Sequence, residues 1–217
     1  LFEEAYQRAG LELRTGNDLR NARRSFNILT MEWQNRGLNL WTIEAGTQVL
    51  TAGTATYTLP ADTVDVIEHQ IRTGTGTSQT DTNLTRVSVS TYAKQSAKNT
   101  TGKPTQIFIQ RLAASTTVTL WPVPDSASTY TLSYYRIAGI DGISSGIDGT
   151  TTSFVPPRFV PCLVSGLAYY IAMKRPEVAN RVVPLKQEYE FQFELAAGED
   201  TESASARFVP YDTFYGA

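Results

Sequence analysis

The chain has 217 residues, enough to bury a sizeable hydrophobic core, and its 19 Lys and Arg against 21 Asp and Glu leave a formal net charge of −2. The signs balance locally as well, with 6 acidic against 6 basic residues in 1–44, 7 against 7 in 45–155 and 8 against 6 in 156–217. This excludes the clustered Lys and Arg of a module that grips phosphates, because non-specific nucleic-acid affinity is mostly counterion release.

Residues 1–14 carry Phe2, Ala5, Tyr6, Ala9 and Leu13 at helical spacing, a charged amphipathic start rather than a targeting signal. Residues 15–17 read as a turn into a second helix. There Leu19, Ala22, Phe26, Leu29 and Trp33 line one stripe while Arg20, Arg23, Arg24, Asn27, Gln34 and Asn35 face away. Asn17 or Asp18 is placed to cap it, Gly37 stands where a left-handed residue ends a helix, and Leu38, Leu40 and Trp41 continue with the period of a strand. The short connection makes the two helices antiparallel neighbours.

From Trp41 to about residue 138 the period is two. TQVLTAG and TATYTLP read as a hairpin, VDVIEHQIR as a strand, and TQIFIQR, TTVTLWPVP and TYTLSYYRIA as three more. Thr, Val, Ile and Tyr with alternating polarity predict a half-exposed antiparallel sheet or small sandwich. Residues 73–83 and 141–153, rich in Gly, Ser and Thr, read as a loop tip and a linker, and 91–99 as a short helix before a turn at Gly102-Lys103-Pro104.

Helicity returns after Pro156-Pro157, where Phe159, Leu163, Gly166, Leu167, Tyr170 and Ile171 share a face with few charges nearby, so this helix is predicted central, with Gly166 allowing close backbone approach. A last helical pattern starts at Pro176 and runs through Val178, Val182, Leu185, Tyr189 and Phe193, with Pro184 kinking or restarting it. After Gly198 a polar spacer leads to RFVPYDTFYGA. Phe208, Val209, Pro210, Tyr211, Phe214 and Tyr215 form an apolar cluster there without helical or strand period. Such a tail either folds back on its own core or acts as an arm on a neighbouring subunit; the enrichment of Tyr and Phe at interfaces favours the arm.

The residues that carry chemistry are few. Cys162 is the single cysteine, which rules out an intramolecular disulfide and a Cys-based zinc site and points to assembly in a cytosol. His69 is the single histidine, which removes Ser-His-Asp, Cys-His and multi-His metal arrangements. Asp62, Asp65 and Glu68 are the nearest approach to a carboxylate pair, yet strand spacing splits them between faces, and Glu188, Glu190 and Glu194 fall on a solvated helix surface. Asp141 and Asp148 lack calcium-loop spacing, and RTGTGTSQT lacks the Lys-Ser/Thr and helix of a phosphate cradle. No stretch approaches the roughly 20 apolar residues of a membrane span. The residues name no catalytic group, cofactor or metal. Arg20, Arg23 and Arg24, with Arg36, are the best basic surface, a solvated helix face or one that meets an acidic partner.

The run W-Q-x-x-G-L-N-L-W at 33–41, with residues 29–33, 37–42 and 57–62 and the order helices, strands, helices, resembles the head-to-tail adaptor proteins of short-tailed bacteriophages, also called head-completion, tail accessory or packaged-DNA-stabilisation proteins. The resemblance implies a ring of twelve copies beneath the portal protein, in the virion neck, that extends the DNA channel, helps retain the genome, lets DNA pass without specific binding and docks tail hub, nozzle or fibre proteins. It also implies that the aromatic tail binds the portal or an adjacent copy. The expected fold is α+β: a helical bundle built from the N-terminal helices (1–43) and C-terminal helices (156–198), an inserted antiparallel β-sandwich (44–140), a linker (141–155) and a C-terminal arm (199–217). Phe26 and Trp33 must then pack against Leu167 and Tyr189. The competing expectation is a carbohydrate-binding or cell-wall-degrading module, which would need Trp121, Tyr130, Tyr134 and Tyr135 on one exposed face, whereas alternation separates Tyr134 from Tyr135. A different joint of the same phage neck has the same sequence features.

Overall fold

Thr15, in extended backbone, caps the second helix: its Oγ1 accepts the Asp18 amide at 3.2 Å, and the Asp18 carboxylate accepts the Thr15 amide at 3.1 Å. This reciprocal box satisfies donors that the first helical turn leaves open, so the cap is Thr15 rather than Asn17 or Asp18. The computed structural model describes residues 1–37, 40–140 and 155–201. Helix α1 (Phe2–Ala9) is shorter than the expected 1–14 because Gly10, at φ +78°, turns the chain, and the Gly10 and Leu11 amides bond back to the Gln7 and Tyr6 carbonyls at 2.9 Å. Helix α2 (Gly16–Arg36) ends at Gly37, whose φ of +140° and ψ of −168° are not those of the left-handed helical cap. Trp41 then sits in a short 3-10 turn, Leu40–Thr42, and not in a strand; Leu38 lies outside the described residues.

The β region comprises β1 (Ile43–Val49), β2 (Thr56–Thr58), β3 (Thr63–Thr73), β4 (Thr80–Asn83), β5 (Thr85–Val87), α3 (Val89–Ala93), β6 (Thr101–Gly102), β7 (Gln106–Arg111), β8 (Thr116–Trp121), β9 (Val123–Pro124) and β10 (Tyr130–Ala138). One 4-stranded sheet runs β1-β10-β3-β4 and another β2-β8-β7-β5, beside a 2-stranded ribbon β6-β9. Val66, Ile71, Leu132 and Tyr134 of the first sheet meet Ile107, Val118 and Leu120 of the second, so the two inner faces enclose one core. The pairings are antiparallel except β5 with β7 and β6 with β9.

The expected hairpin at 47–59 does not form: β1 pairs with β10 and β2 with β8, in different sheets. Leu50 and Leu59 are both buried in the sandwich core, and the Tyr57 hydroxyl accepts the Thr51 amide at 2.8 Å and donates to the Thr54 carbonyl at 3.0 Å, closing a turn that crosses between sheets. The loop expected over 73–83 is a tight tip followed by β4, which pairs back on β3 with an Arg72–Asp81 ion pair at 2.8 Å. The short helix expected at 91–99 occurs earlier, as α3, with Ser88 capping it through the Thr91 amide.

Helix α4 (Val160–Ala172) follows a 3-10 turn at Pro157–Phe159 and is buried nearly all round, as its unbroken apolar run requires. Helices α1, α2 and α5 (Val182–Glu199) pack on it. Pro184 falls in the first turn of α5, after the 3-10 segment Pro176–Arg181, so it restarts the helix where no intrahelical amide is needed. A methyl group on Gly166 would lie 2.8 Å from the Tyr189 ring and 3.0 Å from Leu29, so the glycine sets how closely α4 approaches its neighbours. Phe26, Trp33, Leu167 and Tyr189 share one buried cluster, and the Trp33 indole donates to the Tyr189 hydroxyl at 2.9 Å. The two ends of the chain therefore close around the strand-rich middle: the fold is α+β, with helices at both ends and a sandwich between them.

Candidate interaction surfaces

The run W-Q-x-x-G acquires its meaning from α5. Trp33 is fully buried, tilted against Phe159 and Phe193, and bonded to Tyr189. One turn on, the Arg36 guanidinium donates to Glu190 at 2.6 and 2.9 Å and to Glu32 at 2.8 Å, and lies over the Phe193 and Tyr189 rings at 4.5 and 4.8 Å. The Tyr170 hydroxyl donates to Glu32 at 2.7 Å, which ties α4 into the same seam. The Glu190 bonds raise the Arg36 pKa above its ordinary value and hold Glu190 below the usual carboxylate range. Burial pushes the Tyr189 and Tyr170 hydroxyls up, so both are neutral donors or acceptors at any physiological pH. Arg36 thus belongs to the interior seam, not to the basic surface expected with Arg20, Arg23 and Arg24.

A second clamp joins the opposite end of α2 to the C-terminus of α4. Arg175 donates to Asp18 at 2.6 Å, and the Tyr6 hydroxyl donates to the Asp18 carbonyl at 2.9 Å. The Thr15 hydroxyl bond, foremost, holds the Asp18 carboxyl below its ordinary pKa, with Arg175 acting in the same direction. At the junction with the sandwich, Arg136 is bound by Asp62 at 2.6 Å and Glu44 at 2.7 Å, Asp62 accepts the Gly139 amide through its carbonyl at 2.6 Å, and Gln34 reaches the Ile140 carbonyl at 3.1 Å. Beside these bonds an open groove of about 700 Å³ separates α2 from the sandwich, lined by Asn27, Met31, Gln34, Asp62, Val64 and Leu112 among others. The Asn27 side-chain oxygen is buried there with no partner.

Among the described residues no chemistry-bearing side chains come together in a reactive site; Asp141 and Asp148 lie outside the described residues. His69 lies mid-strand on β3 opposite Tyr134. Cys162 is buried in α4, and burial pushes its thiol up to about 12, which makes it unreactive. Asp62 is neutralised by Arg136 and Asp65 by Arg86 at 3.0 Å, so these two carboxylates serve as ion-pair partners rather than as an acid pair across a cleft. Among the described residues no group of His, Cys, Asp and Glu is placed to hold a metal ion, and no helix is long and apolar enough to cross a membrane. Tyr130 and Tyr134 are buried, Tyr135 is exposed on β10, and Trp121 belongs to the other sheet and donates to the Ala97 carbonyl at 3.0 Å. The rings therefore form no common platform for a sugar.

The expected contact residues divide. Arg20 and Arg24 are exposed on α2, while Arg23 is half-buried with its Nε lacking a partner. Phe208, Val209, Pro210, Tyr211, Phe214 and Tyr215 lie outside the described residues. Sequence reasoning missed the Arg36–Glu190 and Asp18–Arg175 clamps; the 32/36 spacing of Glu32 and Arg36 was the one local signal for either.

The described residues form a bundle stitched across the two ends of the chain, with a sandwich inserted between them. Residues 3–210 match the SU10 adaptor protein family, so the chain belongs to that family and is a structural adaptor of a bacteriophage. A search of curated proteins finds no match.

Proposed function

We propose that this protein is the head-to-tail adaptor of a phage neck: copies form a ring beneath the portal protein, twelvefold by the resemblance described above, that extends the DNA channel, helps retain packaged DNA and presents a docking surface for tail hub, nozzle or fibre proteins. The observation that carries the reading is the family match across residues 3–210. The near-zero balance of charge supports a conduit past which DNA slides rather than one that grips it.

In this reading residues 1–43 and 156–198 form the bundle that supplies subunit contacts, 44–140 the β domain that faces outward or tailward, 141–155 the linker and 199–217 the arm. Phe208, Val209, Pro210, Tyr211, Phe214 and Tyr215 would seat on the portal or on an adjacent copy, and Arg20, Arg23 and Arg24 would meet an acidic partner surface. The particle assembles in the host cytoplasm. A ring requires a head-to-tail contact whose rotation closes on itself. Sedimentation of the protein with and without purified portal tests the proposal: a closed oligomer, or a stoichiometric ring on the portal, is expected. A protein that stays monomeric in both conditions and is absent from purified particles overturns it.

A further inference from the structure

Two stripes of the bundle point away from its core and stay uncovered. On α2 the residues 18, 22, 25, 26, 29, 30 and 33 are buried, which at 3.6 residues per turn places Arg20, Arg24, Ile28 and Met31 on the opposite side. Ile28 and Met31 are 49% and 61% exposed, one turn apart, with Met31 at the rim of the groove that faces the sandwich. On α5 only Tyr189 and Ala196 are buried, and the reverse side carries Phe191 and Leu195, 55% and 53% exposed, flanked by Glu188 and Glu194. Single exposed apolar residues are ordinary, but adjacent pairs aligned on a helix face mark contact surfaces.

The charges beside the two apolar pairs are opposite in sign. Arg20 and Arg24 stand on the α2 stripe, and Arg24 acts on the nearby Lys174, adding to a lowering of its pKa that burial dominates. Glu188 and Glu194 stand on the α5 stripe, where Glu188 accepts a hydrogen bond from Gln192 at 2.9 Å. Among the described residues none of Arg20, Arg24, Glu188 and Glu194 forms an ion pair, whereas Arg36, Asp18, Arg136 and Asp65 are all paired. Residues 20–31 span about 16 Å of α2 and 188–195 about 10 Å of α5 at a rise of about 1.5 Å per residue, so the α5 stripe fits within the length of the α2 stripe.

We propose that the outer face of α2 on one copy docks on the outer face of α5 on the next, with Ile28 and Met31 covering Phe191 and Leu195, and Arg20 and Arg24 facing Glu188 and Glu194. This assignment rests on the ring reading and names the surfaces that would build it. Because the two stripes lie on different helices of the same chain, the contact is head-to-tail and propagates from copy to copy. Its apolar residues exclude water and its opposite charges reject a like-charged match.

Charge reversal in the full chain tests the pairing, read by sedimentation across protein concentration, free and on purified portal. The double variants R20E/R24E and E188K/E194K should each associate at least about tenfold more weakly than the unaltered protein, and raising salt should weaken the unaltered contact. All four side chains reach solvent, so each variant should keep its circular dichroism and melt within a few degrees of the parent. An equimolar mixture of the two variants should recover assembly, since every contact in an alternating ring then joins opposite charges. Variants that assemble like the parent, or a mixture no better than its components, overturn this surface while leaving the ring reading intact. Assembly that survives E188K/E194K but is lost on removing residues 207–217 moves the contact from the α5 stripe to the arm and also overturns the pairing. A parent chain monomeric under every condition overturns both.

Discussion

Gly166 shows how one residue sets the spacing of a whole layer. Alanine there gains up to about 1 kcal/mol of helix propensity over glycine, but its methyl would stand 2.8 Å from a Tyr189 ring that the Trp33 indole already holds in place. Overpacking of this kind costs about 1–3 kcal/mol, so the clash outweighs the propensity gain. G166A is expected to lower stability by about 1 kcal/mol net in urea unfolding at neutral pH; an unchanged or raised midpoint would mean that Tyr189 moves freely. The same logic explains Gly46 on β1, where a methyl would lie 2.5 Å from the Tyr134 ring facing it across the strand pair.

At the scale of elements, α2 is the member that touches everything: α4 through its apolar stripe, α5 through Trp33 and Arg36, and the sandwich through Gln34. Its N-terminal clamp is pH-dependent, with a definite sign. The Asp18 carboxyl is held below its ordinary value by the Thr15 hydroxyl and by Arg175, so the folded chain binds that proton more weakly than the unfolded one. The stability it contributes is fully present above the unfolded carboxylate pKa of about 4 and is lost as pH falls through the lower folded value. D18N should therefore flatten the acid limb of a stability–pH profile while changing its shape little above about pH 6. A variant profile parallel to the parent's at every pH would remove Asp18 from the linkage. Asp62 with Arg136 and Glu190 with Arg36 add terms of the same sign, because each carboxylate is held down by its arginine.

For the whole molecule, the closed bundle predicts which parts are dispensable for folding. The end of α5 is anchored before residue 202: the Leu40 amide donates to Asp200 at 2.8 Å and Arg158 pairs with the same carboxylate. Removing residues 207–217 should leave the melting transition in place and weaken assembly, measured by sedimentation with portal. Loss of the cooperative transition instead would make the tail part of the protomer's own core. The bundle and sandwich share a polar junction at Asp62, Arg136, Gly139 and Gln34, and beside it the Asn27 side-chain oxygen is buried without a partner.

The helices at both ends, the strand-rich middle, the central place of α4 and the close approach at Gly166 were legible in the sequence, because each rests on a local period or on a residue type with one dominant backbone consequence. The absence of any His, Cys or Gly-rich chemical motif was equally plain there. The partners of those elements were not. Alternation identified Thr47 to Val49 and Thr56 to Thr58 as extended but carries no information about which strand lies alongside, so a local hairpin was expected where burial of Leu50 and Leu59 sends the chain from one sheet to the other. Arg36 looked like a surface cation because charge alone defines no neighbour, and only the approach of α5, far along the chain, brings Glu190 and two aromatic rings to it. Period and residue type act over one or two turns of chain, whereas pairing and burial are decided by contacts between distant segments, which exist only once the bundle closes.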